Sequence, residues 1–287
     1  MTDLQHDYLV TNGVQLHYVH QGQGQLMLFL HGFPEFWYSW RHQLEAFAAD
    51  YHVVAVDMRG YNLSDKPKSK EAYVLDELVA DVKGMIEALG YEDCILVAHD
   101  WGGAVAWSFA YAHPEMVERL IVMNLPHPAL LKAGLKTPRQ LLRSWYMAFF
   151  QLPKLPEWVL RLRSYHGIGA AFHDMAIDKS AFPPEVLDQF KKAAAQPGAL
   201  TAMIHYYRAN FKGFFNKNLR PQEQGTLPIP TLMIWGEEDT ALGKELTYGT
   251  EQYVPDLRIQ YIPNCSHWVQ QEQPQLVNQY MKEFLAE

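Results

Sequence analysis

Residues 94 to 107 read CILVAHDWGGAVAW. An apolar, strand-type run from Cys94 to Ala98 meets His99-Asp100-Trp101-Gly102-Gly103, and a small-residue helical pattern follows at once. The frame is that of a sharp strand-to-helix turn that lifts one side chain above a sheet. Ala98 and Gly102 take its two small outer positions, and the apex, where serine is usual, is Asp100. An ionised carboxylate only accepts hydrogen bonds, and its ordinary pKa of about 3.9 leaves it charged at neutral pH. Amides at a helix N-terminus favour such an anion. The plainer alternative is that Asp100 caps the following helix. Ala98, Gly102 and Gly103 tilt the reading towards an exposed nucleophile, because small residues permit the packing that such a turn requires.

Two further constellations could serve that carboxylate. FLHGFPEFWYSW lies between a strand and a helix, so the backbone N–H of Phe33, with that of Trp101, would form an oxyanion hole. Its alternative is a Gly-Pro turn with aromatics packed beneath a loop. WGEEDT and NCSHW each follow a late strand. Asp239 and His267 then complete the chain order nucleophile, acid, base, with the acid holding the histidine in one tautomer. Glu237 and Glu238 are alternative acids, and Asp239 leads on motif position. Cys265 is an alternative nucleophile, but that choice leaves the turn at Asp100 unexplained. His205 and the pair His99/Asp100 lack a matching metal-ligand set, and there is no H-E-x-x-H, P-loop or convincing dinucleotide fingerprint.

The elements around these residues alternate. VQLHYVHQG, QLMLFLHG, YHVVAVDMRG, CILVA and RLIVMNL read as strands. Between them, SWRHQLEAFAA, YVLDELVADVKGMIEALG and Trp101 to about Ala112 read as helices. Such alternation predicts an α/β fold with a mainly parallel, doubly covered sheet. From PHP at Pro126 to about Pro228 the texture is helical, proline-cut and aromatic. Strand–helix alternation then resumes with PTLMIWGEEDT and RIQYIPNCSHW. The expected organisation is a core of residues 1–126 and 226–287, interrupted by an inserted helical cap of residues 127–225. With 48% hydrophobic and 20% charged residues, the 287-residue chain is ordinary for a globular protein. Its net charge of -8 argues against nucleic acid as a partner. The start MTDLQHDYLV lacks the basic and apolar regions of a signal peptide, and no apolar run approaches a membrane span. Two cysteines, Cys94 and Cys265, suit a reducing cytoplasm.

HGFPEFWYSWRHQ, VVAVDMRGY, HDWGG, PHP, QPGAL, YYRAN and SHWVQQEQP carry a resemblance. Across nearly its whole length the chain resembles the α/β-hydrolase-fold epoxide hydrolases, especially the branch containing the vertebrate epoxide hydrolases 3 and 4. The resemblance implies conversion of epoxides to vicinal diols without a cofactor or metal. Its partners would be a small apolar epoxide and water, with the oligomeric state left open. Asp100 would open the ring and form an alkyl ester, and His267, oriented by Asp239, would activate water against that ester. A carboxylate suits this role because the electrophile is an sp³ carbon. Two cap tyrosines would donate to the epoxide oxygen; by segment match these are Tyr146 and Tyr207. Tyr206 competes with Tyr207, since adjacent helical residues point about 100° apart. His31, Pro34, Trp37, His99 and Trp268 would line the substrate. Haloalkane dehalogenases share the aspartate, and Trp101 could cradle a halide with Trp145 or Trp158. Many of them, however, carry asparagine where this chain has Phe33. Fluoroacetate dehalogenases usually carry arginine where it has Trp101. A non-catalytic receptor for a small apolar ligand is the third reading.

Overall fold

The computed structural model describes residues 4–215 and 225–287. Among the described residues eight strands form one sheet: β1 Gln5–Thr11, β2 Val14–Gln21, β3 Leu26–Leu30, β4 His52–Val56, β5 Cys94–His99, β6 Val117–Met123, β7 Thr231–Gly236 and β8 Leu257–Ile262. Their order is β1-β2-β4-β3-β5-β6-β7-β8, and all neighbours from β4 onward pair in parallel. Strand residues alternate between two buried clusters, as the two-residue period of a strand requires. Leu28, Leu30, Val54, Leu96 and Ala98 join the cluster on one face. Met27, Phe29, Val53, Ile95 and Val97 join the cluster on the other. Both faces are therefore covered, which explains the unbroken apolar runs of β3 and β5.

Helices α1 Arg41–Phe47, α2 Leu75–Ala88, α3 Trp101–Ala112, α10 Val269–Glu272 and α11 Pro274–Leu285 belong to this α/β layer. Between β6 and β7 the described elements are helical: α4 Pro128–Gly134, α5 Pro138–Arg143, α6 Trp145–Phe149, α7 Leu155–His173, α8 Pro184–Ala194 and α9 Ala199–Phe215, with one short 3₁₀ turn. Residues 216–224 of the expected interval 127–225 lie outside the described residues. α7 is broken in its middle, where Arg163, Ser164 and Tyr165 take left-handed φ values of 50°, 56° and 62°.

One element departs from expectation. β1 pairs antiparallel with β2 through the tight turn at Asn12 and Gly13, forming an edge hairpin. Its seven residues are largely exposed, so no apolar pattern marks it in the sequence. Among the described residues, no helix is long and apolar enough to cross a membrane.

Candidate active site

Asp100 leaves β5 with φ 49° and ψ -120°. For a residue bearing a Cβ this conformation costs about 1–3 kcal/mol, which the surrounding structure must hold. Two glycines make room for it. A Cβ on Gly32 would lie 2.4 Å from the Cβ of Asp100, and one on Gly102 would lie 2.2 Å from the Leu30 carbonyl oxygen. The Asp100 side chain does not cap α3. Its Oδ1 instead accepts from the Phe33 backbone N–H at 2.8 Å, and its Oδ2 lies 3.5 Å from His267 Nε2. Trp101 opens α3, so its backbone N–H lies at the helix N-terminus directly beside Asp100.

His267 Nδ1 and Asp239 Oδ2 are 2.7 Å apart. Asp239 Oδ1 accepts from the backbone N–H groups of Ala241 and Leu242 at 2.7 and 2.9 Å. Asn124, at the end of β6, donates to Asp239 Oδ2 at 2.7 Å, and its own carbonyl oxygen accepts from Gly236 N at 3.0 Å. Lys244 takes Glu237 at the surface and Glu238 is exposed, which leaves Asp239 as the acid on His267. Burial pushes the Asp239 carboxyl up, but the charge and hydrogen bond of His267 outweigh it and hold the group below its usual range. Asp100 follows the same balance, lowered by His267 and the Phe33 N–H against burial. His267 is the reverse case. Burial pulls its pKa down, and the two carboxylates raise it well above the ordinary value. Cys265 is fully buried, and burial pushes its thiol up, so a thiolate is disfavoured there.

Above this group stand the tyrosines of the insertion. Tyr207 packs edge-on against Trp101 at 5.1 Å and Phe33 at 5.3 Å, and Tyr146 meets Tyr207 at 5.9 Å. Burial pushes both phenols up, and the Asp100 charge adds to the shift. Both therefore stay protonated at neutral pH and can donate. Tyr206 is turned away, its hydroxyl donating to the Arg59 carbonyl at 2.7 Å.

YYRAN thus becomes an anchoring device. Tyr206 ties α9 to the core, and Asn210 donates to the Tyr73 carbonyl and accepts from Leu75 N. Arg208 pairs with Glu157 at 2.6 Å and donates to the carbonyls of Phe150 and Leu152, fixing the end of α6 on α9.

The five expected lining residues fall in different places. His31 and His99 are fully buried and present no surface to a substrate. Both ring nitrogens of His31 are occupied, by the Gly32 carbonyl and by Met58 N. Both nitrogens of His99 are occupied too, by Glu35 at 2.7 Å and the His267 carbonyl at 2.8 Å. The two rings therefore lie behind the site, not along it. Pro34 is buried inside the Gly32–Glu35 turn, whose Glu35 N donates to Gly32 O. Trp37 turns its ring to His6 and its backbone N–H to Asp57. Trp268 packs on His267 at 4.9 Å and donates to the Ala171 carbonyl, tying the histidine loop to the insertion. Trp145 and Trp158 are 65% and 60% exposed, so neither joins Trp101 as a halide donor.

Sequence reasoning did not single out Asn124 or Glu35. Glu35 is fully buried and accepts from Gly32 N at 2.8 Å and from the side chains of Gln270 and Gln271 at 2.9 and 3.1 Å. It thereby joins the Phe33 loop to the His267 loop. A lone acid in an apolar stretch, and a polar residue ending an apolar strand, are the signals that could have found them. Among the described residues, no three His, Cys, Asp or Glu converge to hold a metal ion.

The chain matches the alpha/beta hydrolase fold family over residues 25–274. It is 41% identical to epoxide hydrolase 4 of Mus musculus, over 96% of this chain and 77% of that protein. It is 43% identical to epoxide hydrolase 3 of Xenopus tropicalis, over 99% of this chain and 78% of that protein. The crystal structure of Bacillus megaterium epoxide hydrolase in complex with an inhibitor is similar at a TM-score of 0.92 and 40% identity, covering 98% of this chain and 100% of that one.

Proposed function

The chain belongs to the epoxide hydrolases of the alpha/beta hydrolase fold, and we propose that it turns small apolar epoxides into vicinal diols through an ester on Asp100. The observation that carries this reading is the carboxylate at the elbow, with one oxygen on Phe33 N–H and the other towards His267, beneath the buried Tyr207 and the half-buried Tyr146. The described residues of 127–225 act as the cap over the core.

Oδ2 of Asp100 attacks a ring carbon of the epoxide, and the carbon–oxygen bond to the ring oxygen breaks. Tyr146 and Tyr207 donate to that oxygen as it gains charge. Oδ1, already on Phe33 N–H, becomes the ester carbonyl oxygen. Esterification removes the Asp100 charge, one of the two that raise the pKa of His267. The imidazole thereby becomes available as a base, while Asp239 keeps its tautomer and orientation. Water, deprotonated by His267, attacks the ester carbon, and the oxyanion forms on Oδ1 at the Phe33 and Trp101 amides. The imidazolium returns its proton to the former Oδ2 as collapse expels the diol, and the second water proton, released as the carboxylate is regenerated, restores the phenol that protonated the ring oxygen. Two buried free cysteines support a cytoplasmic setting as part of this reading.

Purified protein tests the reading with styrene oxide and, in parallel, a bromoalkane. Diol formation without bromide release is the expected result. Bromide release without diol would replace the reading by a dehalogenase. Saturable binding of styrene oxide with neither product would replace it by a receptor.

A further inference from the structure

The outer surface of the insertion differs from the rest of the molecule. Leu142, Trp145 and Trp158 are exposed to 75%, 65% and 60%, and Leu152, Leu155 and Leu162 are exposed as well. They follow one another along α5, α6, the connection after it and the first half of α7. Trp145 reaches Phe149 at 5.9 Å, and Arg208 gathers Phe150, Leu152 and Glu157 on one anchor, so these segments share one neighbourhood. Scattered exposed apolar residues need no explanation, but a cluster of leucines and tryptophans does.

Charge follows the same surface. Residues 137–165 hold five basic residues, Arg139, Arg143, Lys154, Arg161 and Arg163, and one acid, Glu157, which is paired with Arg208. The remaining chain holds 19 basic and 31 acidic residues, from totals of 24 and 32. Arg139 and Arg143 both pair with Glu245, at 3.5 and 3.4 Å, which brings one further acid to this surface, while Lys154, Arg161 and Arg163 are exposed and carry its positive charge.

We infer that this face docks on an anionic lipid bilayer. Leucine and tryptophan side chains enter the headgroup boundary, and lysine and arginine remain with the phosphates. The acidic remainder is repelled by the same surface, so the charge asymmetry orients the molecule with the insertion towards the lipid. A second copy of the chain fits less well, because a two-fold contact through this face would set its basic residues against each other. Tyr146 is the neighbour of Trp145 on α6, turned about 100° from it, and its ring meets Tyr207. Docking therefore places the layer where apolar epoxides partition beside the helix that roofs the site.

Flotation of the whole protein with phosphatidylcholine vesicles, with and without 30% phosphatidylserine, tests the inference. The protein should float with the anionic vesicles at low salt, and at least tenfold less with neutral ones or in 0.5 M salt. Each basic residue near the surface is worth on the order of fivefold in partition. Arg161→Glu with Arg163→Glu should therefore weaken flotation more than tenfold, as should Trp145→Ser with Trp158→Ser. Circular dichroism and the thermal midpoint should not change, since all four side chains are exposed. Tryptophan emission should shift to the blue on binding, and less so in the tryptophan variant. Absence of flotation by the unaltered protein overturns the inference, as does equal flotation with neutral vesicles. So does a dimer in sedimentation that either variant makes monomeric.

Discussion

At the strand ends Asp100 and Asp239 are fixed largely by backbone donors, Phe33 N–H for the first and Ala241 and Leu242 N–H for the second. In the insertion Tyr146 and Tyr207 are fixed by side chains that reach far along the chain, as Arg208 reaches Glu157 and Tyr206 reaches Arg59. The first arrangement is local and rigid, because each group sits just beyond a buried strand. The second depends on how α9 lands on the core. The core should therefore hold the chemistry of the ester, and the insertion the handling of the leaving oxygen.

The largest effect should come from the core. His267→Gln removes the base but leaves Asp100 and both phenols, so turnover should fall on the order of 10⁴-fold or more. Intact-protein mass spectrometry should show one substrate mass on the peptide containing Asp100. An adduct on Cys265 would move the nucleophile. In the unaltered enzyme, acid should have the same sense. Asp100 is held below the usual carboxylate range, so ring opening should persist as pH falls. Ester hydrolysis needs neutral His267 and should fail first, so rapid acid quench should find more ester at pH 5 than at pH 8. Less ester at pH 5 would break the division of labour.

The insertion comes next. Tyr207→Phe or Tyr146→Phe should each slow ring opening by about 10²-fold or more, by analogy with losing one oxyanion donor. Single-turnover ester formation reads this step alone, and the rate of ester hydrolysis should hardly move. Tyr206→Phe should instead lower stability, because the Arg59 carbonyl loses its donor. If Tyr206→Phe slows ring opening more than Tyr207→Phe, the facing of α9 is wrong by one residue.

The smallest effect tests support within the core. Asn124→Ala leaves Gly236 N without its acceptor and Asp239 with one donor fewer. Stability should fall by about 1–3 kcal/mol, and the thermal midpoint by roughly 2–10 °C. An unchanged midpoint would show that the Asp239 loop holds itself.

The same contrast explains what could be read without coordinates. Asp100, Asp239 and Phe33 each follow an apolar strand and His267 follows an alternating one, so a short window points to them, and the parallel sheet follows from alternation. The tyrosines have no such marker, since aromatic residues in a helix look like ordinary packing, and only resemblance singled them out. The choice between Tyr206 and Tyr207 rests on a carbonyl 147 residues away. His31 and His99 sit beside site residues in the chain, and nearness there says nothing about whether ring nitrogens are already taken. β1 escaped because an exposed edge strand carries no apolar alternation. Asn124 and Glu35 escaped because their worth lies in distant partners, Asp239 for one and Gln270, Gln271 and His99 for the other.

A carboxylate oxygen of Asp100 should end in the product. One turnover in ¹⁸O-water, with enzyme in excess over epoxide, measures this directly. The first diol should carry no solvent label and the label should sit in the peptide that contains Asp100, with labelled diol appearing only on repeated turnover. Labelled diol from the first turnover, with an unlabelled peptide, would mean that water attacks the epoxide directly and that Asp100 is not the nucleophile, even in an efficient epoxide hydrolase.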